Sequence, residues 1–321
     1  MKRLYTLAVI ALIALSVIAC SSTPKTPSQS NKIQDVQVFT TNNKDGKVTT
    51  KSIESTFDTL GLSVQGNNNM NIPFKTRFAK VHYRVYNLAM YMNSDLTFNL
   101  IKKYPKFGAL TPLTMSIWED KEGNMNVATL TINGMARATG IPTDDPDLVA
   151  YSTLLNKALK QAMPNGYFKH LPYKVKFPKQ SFAIDMTMEV DSNTPMEEFI
   201  EDFEAEFEGE LEPLGFLLPN YTNLQEEIFD DHDYHAYDFY HTYSICKFDV
   251  IFPVSKLHPE AGAWAPCSFY LYKKKNESKM HMGFLGVDNW ITTLDIEDQE
   301  SIKPLKEAEG MIIDILTEMT Q

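Results

Sequence analysis

The sequence predicts an α+β fold of two tandem homologous domains, each a mainly antiparallel sheet with helices packed on it. Three observations point there. A ten-residue stretch occurs twice, as YPKFGALTPL over 104–113 and HPEAGAWAPC over 258–267, with Pro, Gly, Ala and Pro at matching places. An ungapped offset of 154 then aligns residues 60–118 with 214–272, with 12 identities in 59 positions, and such self-similarity governs any reading of the fold. Finally, long segments of helical period alternate with pairs of short strand-like runs, the pattern of helices set on one face of a sheet. A chain of 321 residues, 43% hydrophobic and 12% aromatic, is long enough for two domains of roughly 100–150 residues.

The elements follow in order. Asp35 to Thr41 alternates as a strand, and 43–46 (NKDG) is a turn. Thr49 to Leu60 has a weak helical period, stopped by Gly61. Residues 62–92 read as strands interrupted by the Asn-rich 67–69, and 81–86 (VHYRVY) alternates at period two. Ser94 or Asp95 caps a short helix through Lys103. After the first copy of the repeated stretch, Thr114–Glu119 and Met125–Ile132 are strands about a turn at Glu122-Gly123. Asp145 caps a helix with Pro146 at its first position, where the missing N–H costs nothing. Its apolar face is Leu148, Tyr151, Leu155, Ala158, Leu159 and Ala162.

Residues 165–178 read as a linker. Phe182 to Val190 is an alternating strand, and Thr194 to Glu197 a capping box for a helix that runs to Gly215. Met196, Phe199, Ile200, Phe203, Phe207 and Leu211 line one face of that helix; eight carboxylates crowd elsewhere as a solvated surface. Strands around a polar loop fill 216–248, Cys267–Lys273 and Lys279–Leu285 form a hairpin, and a helix near 301–319 closes the chain.

The N-terminus carries an address. Met1-Lys-Arg is basic, Leu4 to Ala19 is apolar and too short for a membrane span of about 20 residues, and a small residue precedes Cys20. This ending resembles the lipobox of bacterial lipoproteins. The resemblance implies cleavage before Cys20 and acylation of that residue, hence a lipid bilayer as partner on the periplasmic side of the envelope. Ser21 in place of Asp favours the outer membrane by the same analogy. The expected organisation is signal peptide 1–19, flexible Ser/Thr/Pro-rich tether 20–33, first domain 34–164 and second domain 165–321.

Cys246, then 259–262 (PEAG), then Pro266-Cys267 opening a strand resemble the bacterial domain-of-unknown-function 302 (DUF302) family. The shared features are a Cys ending a strand, a Pro-x-x-Gly turn and a Pro-Cys pair. The first half keeps Pro105, Gly108 and Pro112, matching Pro259, Gly262 and Pro266, but has Met92 and Leu113 at the two cysteine positions. The second half has Lys247-Phe248-Asp249 where the family usually has Asn-Pro-Pro. The resemblance implies a small α+β domain and no established activity.

Cys246 and Cys267 are the only thiols beyond Cys20, and strand parity points both at the core. An oxidising compartment allows a disulfide. Two inert buried thiols, or a redox or ligand-binding pair, are the alternatives. His232, His235 and His241 lie among carboxylates, a donor set suited to Zn or Cu, though their spacing fits no metal motif. No cofactor is otherwise expected. Net charge is −11: residues 21–164 carry 16 basic and 11 acidic side chains, and 165–321 carry 12 and 30. Such a chain lacks the clustered cations that nucleic acid requires. Gly-rich phosphate loops, G-x-S-x-G elbows and H-E-x-x-H are absent from the sequence, which gives no support to nucleotide hydrolases, α/β-hydrolases or zincins. The expected function is non-enzymatic binding of a small ligand or an envelope partner. A periplasmic thiol-redox or metal-binding protein using the second domain is the alternative.

Overall fold

The computed structural model describes residues 34–191 and 193–320; the signal peptide, Cys20 and the tether lie outside them. In the first copy β1 (Val36–Asn42) leads to α1 (Thr50–Thr59), held at its start by a capping box between Thr49 and Ser52. Next come β2 (Ser63–Asn69), α2 (Asn71–Phe78), β3 (Tyr86–Met92) and α3 (Ser94–Lys103), whose N-cap is Asn93. The repeated stretch forms a 3-10 turn over Pro105–Leu110. The copy is completed by β4 (Leu113–Glu119), β5 (Asn124–Leu130), α4 (Ile132–Thr139), α5 (Pro146–Ala162) and the two-residue β6 (Tyr167–Phe168). All pairings are antiparallel, in the order β2-β3-β4-β5-β1-β6.

The second copy repeats this plan. β7 (Phe182–Glu189) and α6 (Met196–Leu211) precede β8 (Leu217–Asn223), the short turns Gln225–Phe229 and Asp230–His232, β9 (Tyr237–Cys246) and α7 (Phe248–Leu257). A 3-10 turn at Pro259–Ala263 leads to β10 (Cys267–Lys274), β11 (Lys279–Leu285), α8 (Asp288–Thr293) and α9 (Gln299–Met319). The sheet order β7-β11-β10-β9-β8 is the first sheet's β1-β5-β4-β3-β2. The fold is thus α+β in two sheet-and-helix units. The offset of 154 carries the ends of β2 onto those of β8 and those of α3 onto α7. Gly61 and Gly215, equivalent under it, turn the chain at φ +79° and +80°, a region glycine enters without a Cβ penalty.

Each sheet carries helices on one face. Tyr91 packs edge-on against Phe57 of α1, and Phe269 meets Phe207 of α6. The opposite face receives the other copy's repeated turn. Gly262 lies so close to the first sheet that a Cβ there would stand 2.5 Å from both Leu88 Cδ2 and Ser116 Cβ. Gly108 lies as close to the Tyr240 hydroxyl, and a Cβ on it would be 2.8 Å from Tyr270 Cβ. The hydrogen bonds are reciprocal too: Tyr86 donates to the Pro259 carbonyl at 3.5 Å, and Tyr240 donates to that of Pro105. Thr114 donates to Ala263 O at 2.9 Å, and Ser268 to Pro112 O at 3.2 Å. Stacked rings repeat the theme, with Phe78 on Phe252 at 4.0 Å and His232 on Phe98 at 3.9 Å. A buried ion pair extends the join: Arg137 of α4 reaches Asp35 at 2.5 Å and Thr293 Oγ1 at 2.5 Å.

Several local readings change. The Asn-rich 67–69 is the end of β2, with Asn69 opposite Asn87. The alternating 81–86 is irregular up to Tyr86 because its polar atoms answer to the other copy: His82 Nε2 lies 3.0 Å from Phe252 O, and Tyr83 donates to Lys256 O at 3.3 Å. Helix α2 stands where strand was expected, and α4 fills a segment to which no element was assigned. The expected capping box of α6 is not made; Pro195 is the N-cap, with no side-chain bond. The linker begins by adding β6 to the first sheet.

Candidate functional site

The paired difference between copies builds one candidate. Cys246 ends β9, Cys267 opens β10 opposite Ile245, and both face a small apolar cavity of about 40 Å³ shared with Phe216, Trp290 and Leu305. In the first copy the equivalent positions hold the longer Met92 and Leu113, and the Tyr151 hydroxyl of α5 accepts from the Asn93 N–H at 2.9 Å. The second copy offers Leu305 beside Lys247, which is equivalent to Asn93, so space remains. The cysteines are free thiols, not a disulfide. Burial pushes each thiol up to about 12, with the neighbouring Cys246 adding to the effect on Cys267. At neutral pH both are protonated, and the thiolate is the nucleophile. A space of this size and lining admits a water or two and is more apolar than water favours.

The three histidines are not brought together. His232 stacks on Phe98 and lies 3.4 Å from Asp95. His235 is exposed beside Asp233 and Asp230. His241 is buried on β9, its Nδ1 2.7 Å from Glu204 and 3.2 Å from the Tyr221 hydroxyl. Among the described residues no group of three or more His, Cys, Asp or Glu is placed to hold a metal ion. The aromatic run 234–243 is sheet packing, with Tyr237, Tyr240 and Tyr243 all buried.

Sequence reasoning missed a third region. In the first copy, α1, β2, β3, and the ends of β4 and β5 enclose an open cleft of about 450 Å³. Its wall is a ladder of side chains: Asn87 donates to Asn67 Oδ1 at 2.8 Å, and Asn67 donates to Glu54 at 2.9 Å and to the Thr50 carbonyl at 3.1 Å. Beside it, Arg84 clasps both oxygens of Glu119, with Nε 2.8 Å from Oε1. Val48, Val85 and Met125 supply apolar surface. The Asn-rich 67–69 was the available signal, once strand period places Asn67 and Asn69 on one side. In the second copy the offset brings Tyr221 to the place of Asn67 and His241 to that of Asn87. It also brings Asp238 and Lys273 to the places of Arg84 and Glu119, an ion pair at 2.5 Å with its polarity reversed.

Residues 38–162 match the family model described as "Domain of unknown function DUF302". The match falls within the first copy, which is similar to DUF302 domains, and the second copy repeats its strand order. Among solved structures, an uncharacterized conserved DUF302 protein from Bacillus stearothermophilus is similar at 16% sequence identity. The match covers 43% of this chain and 98% of that one, with a TM-score of 0.34. No curated protein matches the chain.

Proposed function

We propose that this protein is a lipoprotein held by acylated Cys20 on the periplasmic side of the outer membrane, and that it binds a small ligand without converting it. The observation that carries the binding reading is the first-copy cleft. Its volume of about 450 Å³ falls within the range of roughly 300–1,000 Å³ typical of small-molecule sites, and several polar side chains converge on it. The thiol-redox alternative has less support, because burial pushes both thiols up to about 12 and keeps them protonated at neutral pH. The metal alternative has less as well, because the histidines sit in separate environments. Among the described residues no helix is long and apolar enough to cross a membrane, so the anchor proposed is the lipid on Cys20. Fractionation tests the anchor: the native chain should sediment with membranes and Cys20→Ser should not. Retention of Cys20→Ser in the bilayer would overturn the anchoring. Ligand-observed NMR with a metabolite library tests the binding. Signals abolished by Glu119→Gln are expected, and a library with no binder at all would overturn it.

A further inference from the structure

We propose that the first-copy cleft takes a neutral, hydroxyl-rich ligand of monosaccharide size; this rests on the binding reading above. The charges of the cleft cancel before any ligand arrives. Two cations, Lys51 and Arg84, and two carboxylates, Glu54 and Glu119, line it; the Arg84 fork is spent on Glu119, Glu54 accepts from Asn67, and Lys51 is exposed. A ligand with net charge would have to break the Arg84–Glu119 pair or lie beside a like charge, whereas an uncharged one does neither. What stays open is amide chemistry. Asn87 is only 5% exposed and lines the cleft. Its Nδ2 is committed to Asn67, while among the described residues nothing donates to its Oδ1. Asn69, also lining the cleft, uses its Oδ1 on the Asn71 N–H, and among the described residues its Nδ2 has no acceptor.

A free amide carbonyl and a free amide N–H ask for a partner that both donates and accepts at short spacing, as adjacent hydroxyls do. The Thr49 and Thr50 hydroxyl side chains at the start of α1 extend the same chemistry, and Val48, Val85 and Met125 offer a surface for C–H groups. The second copy lacks this opening, since Tyr221 and His241 occupy the equivalent positions and bond each other at 3.2 Å. One ligand per chain follows.

The experiment is saturation-transfer NMR on the full chain in detergent micelles. The probes are D-glucose, D-galactose, N-acetylglucosamine and myo-inositol, set against alanine as a zwitterion and gluconate as an anion. Transfer to at least one neutral probe is expected, weakened about tenfold by Asn69→Ala, which removes one open donor at an exposed strand end. It should be lost in Asn87→Leu, whose fold is checked by thermal unfolding. Transfer only to alanine or gluconate would overturn the ligand class and leave the binding reading standing. Transfer to no probe would overturn the ligand class, and a metabolite library that also gave no binder would remove the binding reading with it. A neutral probe whose signal survived both substitutions would overturn the assignment to this cleft.

Discussion

Gly262→Ala should loosen the join between the two copies, and the cost can be worked from the packing. The added Cβ would stand 2.5 Å from Leu88 Cδ2 and 2.5 Å from Ser116 Cβ. The Leu88 tip can rotate away, but the Ser116 Cβ is fixed to a central strand and can move only with the sheet. Overpacking of this kind costs about 1–3 kcal/mol. Ala also stiffens the unfolded chain relative to Gly, worth about 0.4–1 kcal/mol in the other direction. The net is a loss of up to roughly 2.6 kcal/mol. Gly209→Ala provides the opposite case. It lies inside α6 with nothing within 4 Å of the new Cβ, so helix propensity should raise stability by about 0.5–1 kcal/mol. Urea unfolding reads both, as midpoint shifts of opposite sign at unchanged slope. A Gly262→Ala midpoint at or above that of the parent, with Gly209→Ala stabilised as expected, would show that the turn does not grip the opposite sheet as described.

Four further outcomes are expected. In a Cys20→Ser chain, thiol titration at pH 8 should find Cys246, which is buried, unreactive in the native protein, the half-buried Cys267 slow, and both reactive after denaturation; fast native labelling of Cys246 would contradict its burial. Restoring first-copy volume with Cys246→Met and Cys267→Leu should fill the cavity of about 40 Å³ and add about 1 kcal/mol, read as a higher urea midpoint; a lower one would mean that the two copies differ in shape there. Asp35→Ala strands Arg137, whose side chain is only 12% exposed, and should cost about 3–5 kcal/mol, whereas a loss below 1 kcal/mol in calorimetric or urea unfolding would speak against a buried pair. Glu260, which accepts from the Tyr173 hydroxyl, is raised above the ordinary glutamate value of 4.5, mainly by burial. The unfolded chain therefore releases this proton first. Stability from this group falls as pH rises from the unfolded value through the folded one. Glu260→Gln should flatten that fall and gain most at high pH, and a parallel stability profile for parent and variant would refute the assignment.

The order of strands and the long helices were legible because period and capping are local. Asp145 with Pro146, the Glu122-Gly123 turn and the apolar face of α5 depend on residues near in sequence. The repeat was legible for a different reason: equal environments keep equal residues, as at Gly108 and Gly262. What escaped was set by contacts between copies. VHYRVY alternates like a strand, yet its His82 and Tyr83 bond to α7, 170 and 173 positions away. Contacts distant in sequence, here within one copy, also hid the cleft. Asn67, Asn87 and Glu119 are ordinary polar residues in the sequence, and only strand register, with Asn69 opposite Asn87, sets them around one space. The cysteines were found by their paired absence from the first copy, but spacing alone could not say whether they were linked.

The reciprocal turns have a consequence for how the assembly responds to dilution. Two separate subunits joined by such turns would part as their concentration fell. Here the halves share one chain, joined through residues 165–178, so separation is a unimolecular opening against an effective concentration on the order of millimolar. The join therefore holds equally for a scarce protein and an abundant one. It also leaves each half free to change without matching a twin, and the reversed ion pairs, Arg84–Glu119 in one and Asp238–Lys273 in the other, are a mark of that freedom.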